Sequence, residues 1–238
     1  MSAEFSFLKL VARNNLKISD AQANMMGRYV KQLSDWNRKI NLVSRNDQEK
    51  IWSRHIVGSI SFLFSFALRE KSSVLDLGTG GGLPGIPLAI LYPKNRFLLV
   101  DSIQKKIAAV KSIIEKLELP NVTAVCARAE ELSKETKFRS AFDYVVSRAV
   151  ASTADLIRWS RPFLPPPTLM SKEEPGKPSR RKIIPPPAIV LLKGGELSGE
   201  LQQANIKMHP QSMLVHQIAV DGVDDDELFD KKLVIVHL

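Results

Sequence analysis

Residues 74–90 read VLDLGTGGGLPGIPLAI, and this stretch decides the fold. It begins with a short apolar run, continues through a cluster of glycines and becomes apolar again at Ile86. Short runs that lack polar alternation are typical of strands buried on both faces of a parallel sheet. Glycines after such a strand allow a sharp turn and let a ligand approach the main chain. The stretch therefore predicts a strand, a ligand-binding turn and a helix.

The residues that follow repeat this alternation of strand and helix. Ile103, Ile107, Val110, Ile114 and Leu117 step by four and three, which indicates an amphipathic helix. Strands that alternate with helices predict a right-handed, doubly wound α/β sheet. An acidic turn separates the last two strands, which should form an antiparallel hairpin at one edge. Strands are predicted at residues 97–101, 122–127, 143–150, 188–195, 214–220 and 231–237.

Residues 1–70 have a helical pattern and are predicted as an extension in front of a domain at 71–238. Ser19 and Gln22 form a capping-box pattern at the start of one helix. The apolar positions that follow have helical spacing. A second helix is predicted from about Asp47 to Ala67, with one apolar face. That face comprises Ile51, Ile56, Ile60 and Leu63 or Phe64.

The stretch 165–187 interrupts the pattern of the second domain. It holds eight of the fourteen prolines, together with five basic and two acidic residues. Because proline denies helix and sheet hydrogen bonds, we expect a long exposed loop here. Its cations either bind nucleic-acid phosphates or belong to a surface insertion without a role, and the sequence leaves both interpretations open. They are Lys172, Lys177, Arg180, Arg181 and Lys182.

The composition narrows the class of protein. With 34 basic and 25 acidic residues the net charge is +9, which favours a polyanionic partner: nucleic acid or an anionic membrane surface. No apolar run approaches the eighteen residues of a membrane span, and the N-terminus lacks the pattern of a signal peptide. Cys126 is the only cysteine, so no intrachain disulfide forms and a reducing, cytoplasmic compartment is expected.

Three acidic residues follow three successive predicted strands: Asp76, Asp101 and Glu130. Ligands of open α/β sheets bind at the carboxyl ends of the strands. A carboxylate at Asp76 repels the pyrophosphate of a dinucleotide and attracts a cation, such as the sulfonium and ammonium of S-adenosylmethionine. Asp101 suits ribose hydroxyls, and Glu130 suits the polar edge of adenine. The alternative for each acid is a helix N-cap or a solvated turn.

Several motifs together resemble one known family. They are WNRKINLVSRNDQEKIWSRHIVGSI, DLGTGGGLPGIPLAI, LVDSIQKKIAAVK, ARAEEL, FDYVVSRAVAS and LLKGGEL. In this order and spacing the chain resembles the small-subunit ribosomal RNA guanine-N7 methyltransferases, the RsmG or GidB family, over residues 25–238 apart from 165–187. The resemblance implies a class I, Rossmann-like fold with a mostly parallel seven-stranded sheet, an antiparallel last strand and an N-terminal helical extension.

The resemblance also implies a reaction and its partners. The donor is S-adenosyl-L-methionine, and the acceptor is N7 of a guanine in the 530 loop of 16S ribosomal RNA, offered as RNA or within the small ribosomal subunit. It implies a monomer with no membrane partner. No metal is expected, because His209, His216 and His237 lack ligand spacing.

Individual residues take roles from their match to the family motifs. Arg148 and Lys193 are candidates for positioning the substrate; alternatively, Arg148 is an ion-pair partner of Asp76 or Asp101, and Lys193 is simply solvated. His55 is either an RNA contact or a structural histidine. The cofactor-binding residues implied are Asp76, Gly78, Gly80, Leu83, Asp101, Ser102, Ala129, Glu130 and Arg148. The RNA-binding residues implied are Asn41, Arg45, Arg54, His55 and Lys193.

The sequence lacks the catalytic motifs of other methyltransferase classes, and this agrees with the implied reaction. Guanine N7 carries a lone pair and no proton, so transfer of a methyl group to it needs no general base. There is no cysteine pair of the pyrimidine C5-methyltransferase kind and no NPPY-like motif of amino-group methylation. Other interpretations are a methyltransferase acting on a small molecule or protein, an NAD(P)-dependent oxidoreductase, and an RNA-binding protein without activity.

Overall fold

A computed structural model describes residues 3–44, 47, 49–148, 151–166, 181–222 and 230–238. Its centre is a seven-stranded sheet in the order β4-β3-β2-β5-β7-β9-β8. The first five of these strands are parallel, while β9 runs antiparallel to both β7 and β8. The strands are β2 (Ser73–Leu77), β3 (Arg96–Asp101), β4 (Val122–Cys126), β5 (Tyr144–Arg148), β7 (Ala188–Gly194), β8 (Ser212–Gln217) and β9 (Lys231–His237).

This topology confirms the predicted doubly wound α/β fold and its antiparallel terminal hairpin. The edge strand β8 begins at Ser212 and ends at Gln217, slightly before the predicted 214–220. A smaller sheet pairs β1 (Phe66–Ala67) with β6 (Lys182–Ile183). The helices are α1 (Ala3–Arg13), α2 (Asp20–Asn37), α3 (Gly58–Ile60), α4 (Gly85–Leu91), α5 (Gln104–Leu117), α6 (Ala129–Leu132), α7 (Thr153–Ser160) and α8 (Ser198–Met208).

Helix α2 begins as its sequence predicts. Ser19 Oγ accepts from the backbone N–H of Gln22, and Gln22 Oε1 accepts from the backbone N–H of Ser19. These two bonds satisfy donors that a helix start otherwise leaves unpaired. The buried face of α2 then joins one hydrophobic core with residues of the sheet and of α4, such as Val74 and Ile86. The N-terminal helices are therefore packed into the same core as the sheet.

The segment predicted as one helix from Asp47 to Ala67 has a different structure. A π-helical turn spans Ile51–Val57, α3 follows it, and a 3-10 turn spans Ser61–Phe64. The prediction is wrong at its end, because Phe66 and Ala67 pair with Lys182 and Ile183 as a strand. The apolar face itself is buried as expected, at Ile51, Ile56, Ile60 and Leu63.

The stretch 165–187 also differs from the exposed loop that the prolines predict. Residues 167–180 lie outside the described part of the chain, and so do the cations Lys172, Lys177 and Arg180. Lys182 and Ile183 pair with β1 as a strand, and residues 184–187 that follow have no regular secondary structure. Ile184 is buried, its N–H donates to the Ala67 carbonyl oxygen, and its carbonyl oxygen accepts from the Tyr144 hydroxyl at 2.6 Å. The buried side chain of Ile184 and the pairing of β6 with β1 thus anchor the end of the stretch despite the prolines.

Two properties of the described residues concern membranes and metal ions. Their helices include none whose length and apolarity suffice for a bilayer crossing. No group of three or more His, Cys, Asp or Glu side chains suited to a metal ion occurs among them.

Candidate active site

The glycine-rich turn after β2 is held by a buried carboxylate. Asp76 Oδ2 accepts from the Thr79 hydroxyl at 2.6 Å and from the backbone N–H of Gly85 at 2.9 Å. These two donors stand at the beginning of the turn and at the start of α4. Gly78, at φ +74°, has a left-handed backbone that glycine adopts without strain. The turn is therefore fixed from behind by Asp76, while Gly78 and Gly80 remain half-buried at its surface.

Asp76 is fully buried, and this changes its protonation. Burial raises the pKa of its carboxyl group to about 7, against the opposing hydrogen bonds from Thr79 and Gly85 and the positive charge of Arg148. Its Oδ1 has no hydrogen-bond partner in the described part of the chain. The strand-end pattern predicts Asp76 beside the ligand; in the structure it lies beneath the turn, bonded to Thr79 and Gly85.

A cavity of about 420 Å³ opens at the carboxyl ends of β2, β3 and β4. Its size is that of a small-molecule site. Asp101 lies at its edge and accepts from Gly80 N–H with Oδ2 at 3.0 Å and from Ile103 N–H with Oδ1 at 2.9 Å. Five predicted cofactor-binding residues line this cavity, which we call the donor cavity: Gly78, Asp101, Ser102, Ala129 and Glu130.

The donor cavity also has walls that the sequence analysis did not predict. Leu156 and Trp159 of α7 line it, and so do Lys106 and Arg128. Trp159 is half-buried, and its indole Nε1 is buried with no hydrogen-bond partner among the described residues. The amphipathic pattern of residues 153–160 indicates a helix, but no sequence signal says that this helix folds back over the ends of β3 and β4.

A second cavity, of about 390 Å³, lies at the ends of β5 and β7. Four of the residues that were predicted to bind cofactor or RNA line it, namely Arg54, His55, Arg148 and Lys193. Asp47 and Lys231, which were not predicted, line it as well. Asp47 pairs with Arg54 through Oδ1 and Nη1 at 2.6 Å. The lining thus carries more positive than negative charge, and we call this space the basic cleft.

Lys193 is tied into the protein and is not a solvated side chain. Its Nζ donates to the Ala151 carbonyl oxygen at 2.7 Å and to Glu200 Oε1 at 2.5 Å. The same oxygen of Glu200 accepts from the backbone N–H and the hydroxyl of Thr153. Burial raises the pKa of Glu200, but the bonds from Lys193 and Thr153 outweigh it and hold that pKa below its usual value. Lys193 therefore braces α7 and α8 against the end of β7.

The remaining predicted residues lie elsewhere. Leu83 is buried in the core, and Gly80 contributes its N–H to Asp101. Neither they nor Asp76 belong to the described lining of the donor cavity. Asn41 is exposed and borders neither cavity as the described residues define them, and Arg45 lies outside the described residues. Arg148 lines the basic cleft, where it contacts His55 and Arg54. Among the described residues it forms no ion pair with Asp101 or Asp76.

The sheet order explains why the two cavities are neighbours. Going across the sheet, β4, β3 and β2 border the donor cavity, and β5 and β7 border the basic cleft. All five strands are parallel, so their carboxyl ends share one edge. The two cavities are therefore next to each other where the neighbouring strands β2 and β5 end, at Gly78 and Arg148.

The sequence is similar to those of known proteins. Residues 22–174 match the GidB family, described as rRNA small subunit methyltransferase G. The chain belongs to this family. A protein of that name from Bacteroides fragilis is 38% identical over 228 residues, which cover 96% of this chain and 98% of the relative. Another from Chlorobium luteolum is 36% identical, over 95% of this chain and 86% of the relative.

A solved structure supports the fold of this family member. A SAM-dependent methyltransferase from Aquifex aeolicus superposes with a TM-score of 0.50 at 13% identity, covering 85% of this chain and 97% of its own. The chain therefore belongs to a methyltransferase family and has the class I fold. The donor that the sequence resemblance implies is S-adenosylmethionine. The donor cavity fits that molecule, because it combines a close-approach glycine with the carboxylates of Asp101 and Glu130. These acids suit a ligand that has ribose hydroxyls and an amino-substituted ring, and Lys106 and Arg128 line the same cavity.

Trp159 makes donor binding visible. We expect S-adenosylmethionine to change the intrinsic fluorescence of the chain, since this indole borders the donor cavity. Trp159→Phe should lose that change and keep its affinity within a few-fold, whereas Trp159→Ala should bind about tenfold more weakly, because an aromatic contact is worth about 1 kcal/mol beyond its area. Trp52, which packs on Phe7 at 4.9 Å, provides the matched control. A fluorescence change that persists in Trp159→Phe and disappears in Trp52→Phe contradicts this assignment.

Proposed function

We propose that this enzyme transfers the methyl group of S-adenosylmethionine to N7 of a guanine in the 530 loop of 16S ribosomal RNA. One observation carries the proposal: a donor cavity with acidic groups adjoins a basic cleft at a single sheet edge. The names of the relatives, which are ribosomal RNA small subunit methyltransferases, support the class of acceptor. The choice of guanine N7 rests on the motif resemblance and on the chemistry that follows.

S-adenosylmethionine carries an electrophilic methyl group on its sulfonium. When the S–CH3 bond breaks, the neutral thioether that remains is a good leaving group. Guanine N7 is a lone-pair nucleophile without a proton. The protein therefore has to hold the two molecules in line and need not remove a proton. His55, the histidine of the basic cleft, agrees with this requirement: burial lowers its pKa to about 4, and its ring contacts Arg148, so it is not poised as a general base.

The basic cleft suits RNA by its charge. Arg54, Arg148 and Lys231 border it, and the whole chain carries +9. Cations at such a surface favour phosphate oxygens and release counterions when RNA binds. Arg148 lies where the donor cavity and the cleft meet, and we assign it the positioning of the substrate. Lys193 acts indirectly, through its bonds to Ala151 and Glu200.

The proposal places the enzyme in the cytoplasm, as a monomer that acts on 16S ribosomal RNA or the small subunit. Mass mapping of 16S ribosomal RNA from cells with and without the gene tests it. We expect one 7-methylguanosine in the 530 loop to disappear without the gene and to return with the wild-type chain. Gly78→Arg, which obstructs the donor cavity, should not restore it. An unchanged RNA map removes the ribosomal assignment and leaves a methyltransferase with a small-molecule or protein acceptor.

A further inference from the structure

Three side chains form a row in the basic cleft. Arg148 Nη2 lies 2.8 Å from His55 Nδ1, and His55 Nε2 lies 3.4 Å from Asp47 Oδ2. Arg148 Nη1 also donates to the carbonyl oxygen of Arg54, at 3.2 Å. His55 is buried and Asp47 borders the same cleft. The guanidinium is therefore held by two contacts that come from one turn of the N-terminal region.

The row fixes the tautomer of His55. A guanidinium is a donor only, so the nitrogen that faces Arg148 has to accept. Nδ1 therefore carries the lone pair, and the single ring proton is on Nε2, toward the carboxylate of Asp47. Such a carboxylate partner selects one tautomer and orients the ring. If Nδ1 carried the proton, its N–H would face the N–H of Arg148, and two donors would point at each other.

The electrostatics of the site are consistent with this tautomer. Burial is the largest effect that lowers the pKa of His55, and the charge of Arg148 adds to it; Asp47 acts in the opposite direction, and Arg54 lowers it further. At neutral pH the ring is therefore uncharged. A neutral ring leaves the positive charge of the cleft to its arginines and lysines.

We propose that His55 is a positioning residue that holds Arg148 at the junction of the donor cavity and the basic cleft, with Asp47 setting its tautomer. This inference rests on the proposed function, since it names how the acceptor side of that site is built. It assigns His55 a different role from that of a direct RNA contact, because both ring nitrogens face groups of the protein. Two of the five N–H donors of Arg148 are used in these contacts.

Two amide substitutions separate the two contacts of the ring. In His55→Asn the amide oxygen takes the place of Nδ1 and still accepts from Arg148. In His55→Gln the amide nitrogen takes the place of Nε2, reaches toward Asp47 and offers Arg148 no acceptor. We expect kcat/KM for small-subunit RNA to fall about 100-fold in His55→Gln, since a misplacement of about 1 Å has an effect of that size. His55→Asn should recover at least tenfold of that loss, while the affinity for S-adenosylmethionine stays at the wild-type value in both.

A double substitution tests whether the effect passes through Arg148. In an Arg148→Ala background, His55→Gln should lower kcat/KM by less than twofold, because the group that it positions is gone. Full additivity of the two losses, or equal losses in His55→Asn and His55→Gln, overturns the proposal. So does a His55→Gln chain that loses donor binding, since this points to a general structural role.

Nitrogen-15 NMR of the histidine rings provides a readout that does not depend on activity. At pH 7 His55 should show a protonated Nε2 and an unprotonated Nδ1, and Arg148→Ala should shift the Nδ1 signal more than the Nε2 signal. An Nδ1-protonated ring overturns the inference whatever the enzyme methylates. A wild-type chain that shows the expected tautomer but forms no 7-methylguanosine on small subunits refutes the proposed function and leaves the contact between His55 and Arg148 in place.

Discussion

Replacing Gly78 by arginine is expected to abolish binding of S-adenosylmethionine. Gly78 borders the donor cavity, so a long side chain at this position occupies space that the donor needs. The new guanidinium also repels the sulfonium and ammonium of the donor. We expect titration calorimetry to show a loss of affinity of at least about 100-fold, equivalent to about 2.7 kcal/mol.

The same substitution should leave a folded chain. The left-handed backbone at φ +74° costs an arginine about 1–2 kcal/mol, which lowers the melting temperature by a few degrees in a chain of this size. Gly199 is the matched control, because a Cβ added there meets no atom within 4 Å. Gly199→Ala should bind the donor as the wild type does. Normal donor affinity in Gly78→Arg refutes our placement of the donor cavity.

Asp76→Ala is expected to have the largest effect on stability. It removes the shared acceptor of the Thr79 hydroxyl and the Gly85 N–H, and both donors are then left buried. Each unsatisfied donor costs about 1–3 kcal/mol, so the free energy of unfolding should fall by about 2–6 kcal/mol. Asp76→Asn keeps an acceptor oxygen for these donors and should lose much less. Urea unfolding of the three chains measures the difference, and equal losses in both variants contradict the assigned bonds.

The pH dependence of the same variants tests the charge of Asp76. In the folded chain burial raises the pKa of the Asp76 carboxyl group to about 7, well above the ordinary 3.8. The folded chain therefore binds this proton more tightly than the unfolded chain does. The stabilising contribution is fully present below about pH 4 and is lost as the pH rises to about 7. The stability of the wild type relative to Asp76→Asn should therefore fall across this window. Parallel curves for the two chains would show that Asp76 is not the group that titrates.

The sheet was predictable because its parallel strands are short apolar runs, and a glycine or an acid stands at or soon after the ends of β2, β3, β4 and β7. That pattern located Gly78, Asp101 and Glu130 at one edge, and the structure brings all three to the donor cavity. Fold class and cofactor followed from the same residues. Strand ends were predicted to within a few residues, as at β8.

Other parts of the site depend on contacts between distant segments, which a local pattern does not contain. Asp76 satisfies the strand-end pattern, yet its partners are Thr79 and Gly85, so it is buried under the turn. Trp159 joins the donor cavity only because α7 folds over it. Asp47 contacts His55 within the segment that the sequence predicts as one helix. The structure of that segment is irregular, and at its end Phe66 pairs with Lys182 as a strand.

The shared core of the N-terminal helices and the sheet has an evolutionary consequence. The Tyr29 hydroxyl donates to the carbonyl oxygen of Gly81 inside the glycine-rich turn, and β1 pairs with a strand more than a hundred residues further on. Recombination that exchanged residues 1–70 between two members would separate each of these partners from its match. We therefore expect the two regions to diverge together by compensating substitutions. Chimeras joined near residue 70 should fold poorly unless the glycine-rich turn and β6 come from the parent that supplies Tyr29 and β1.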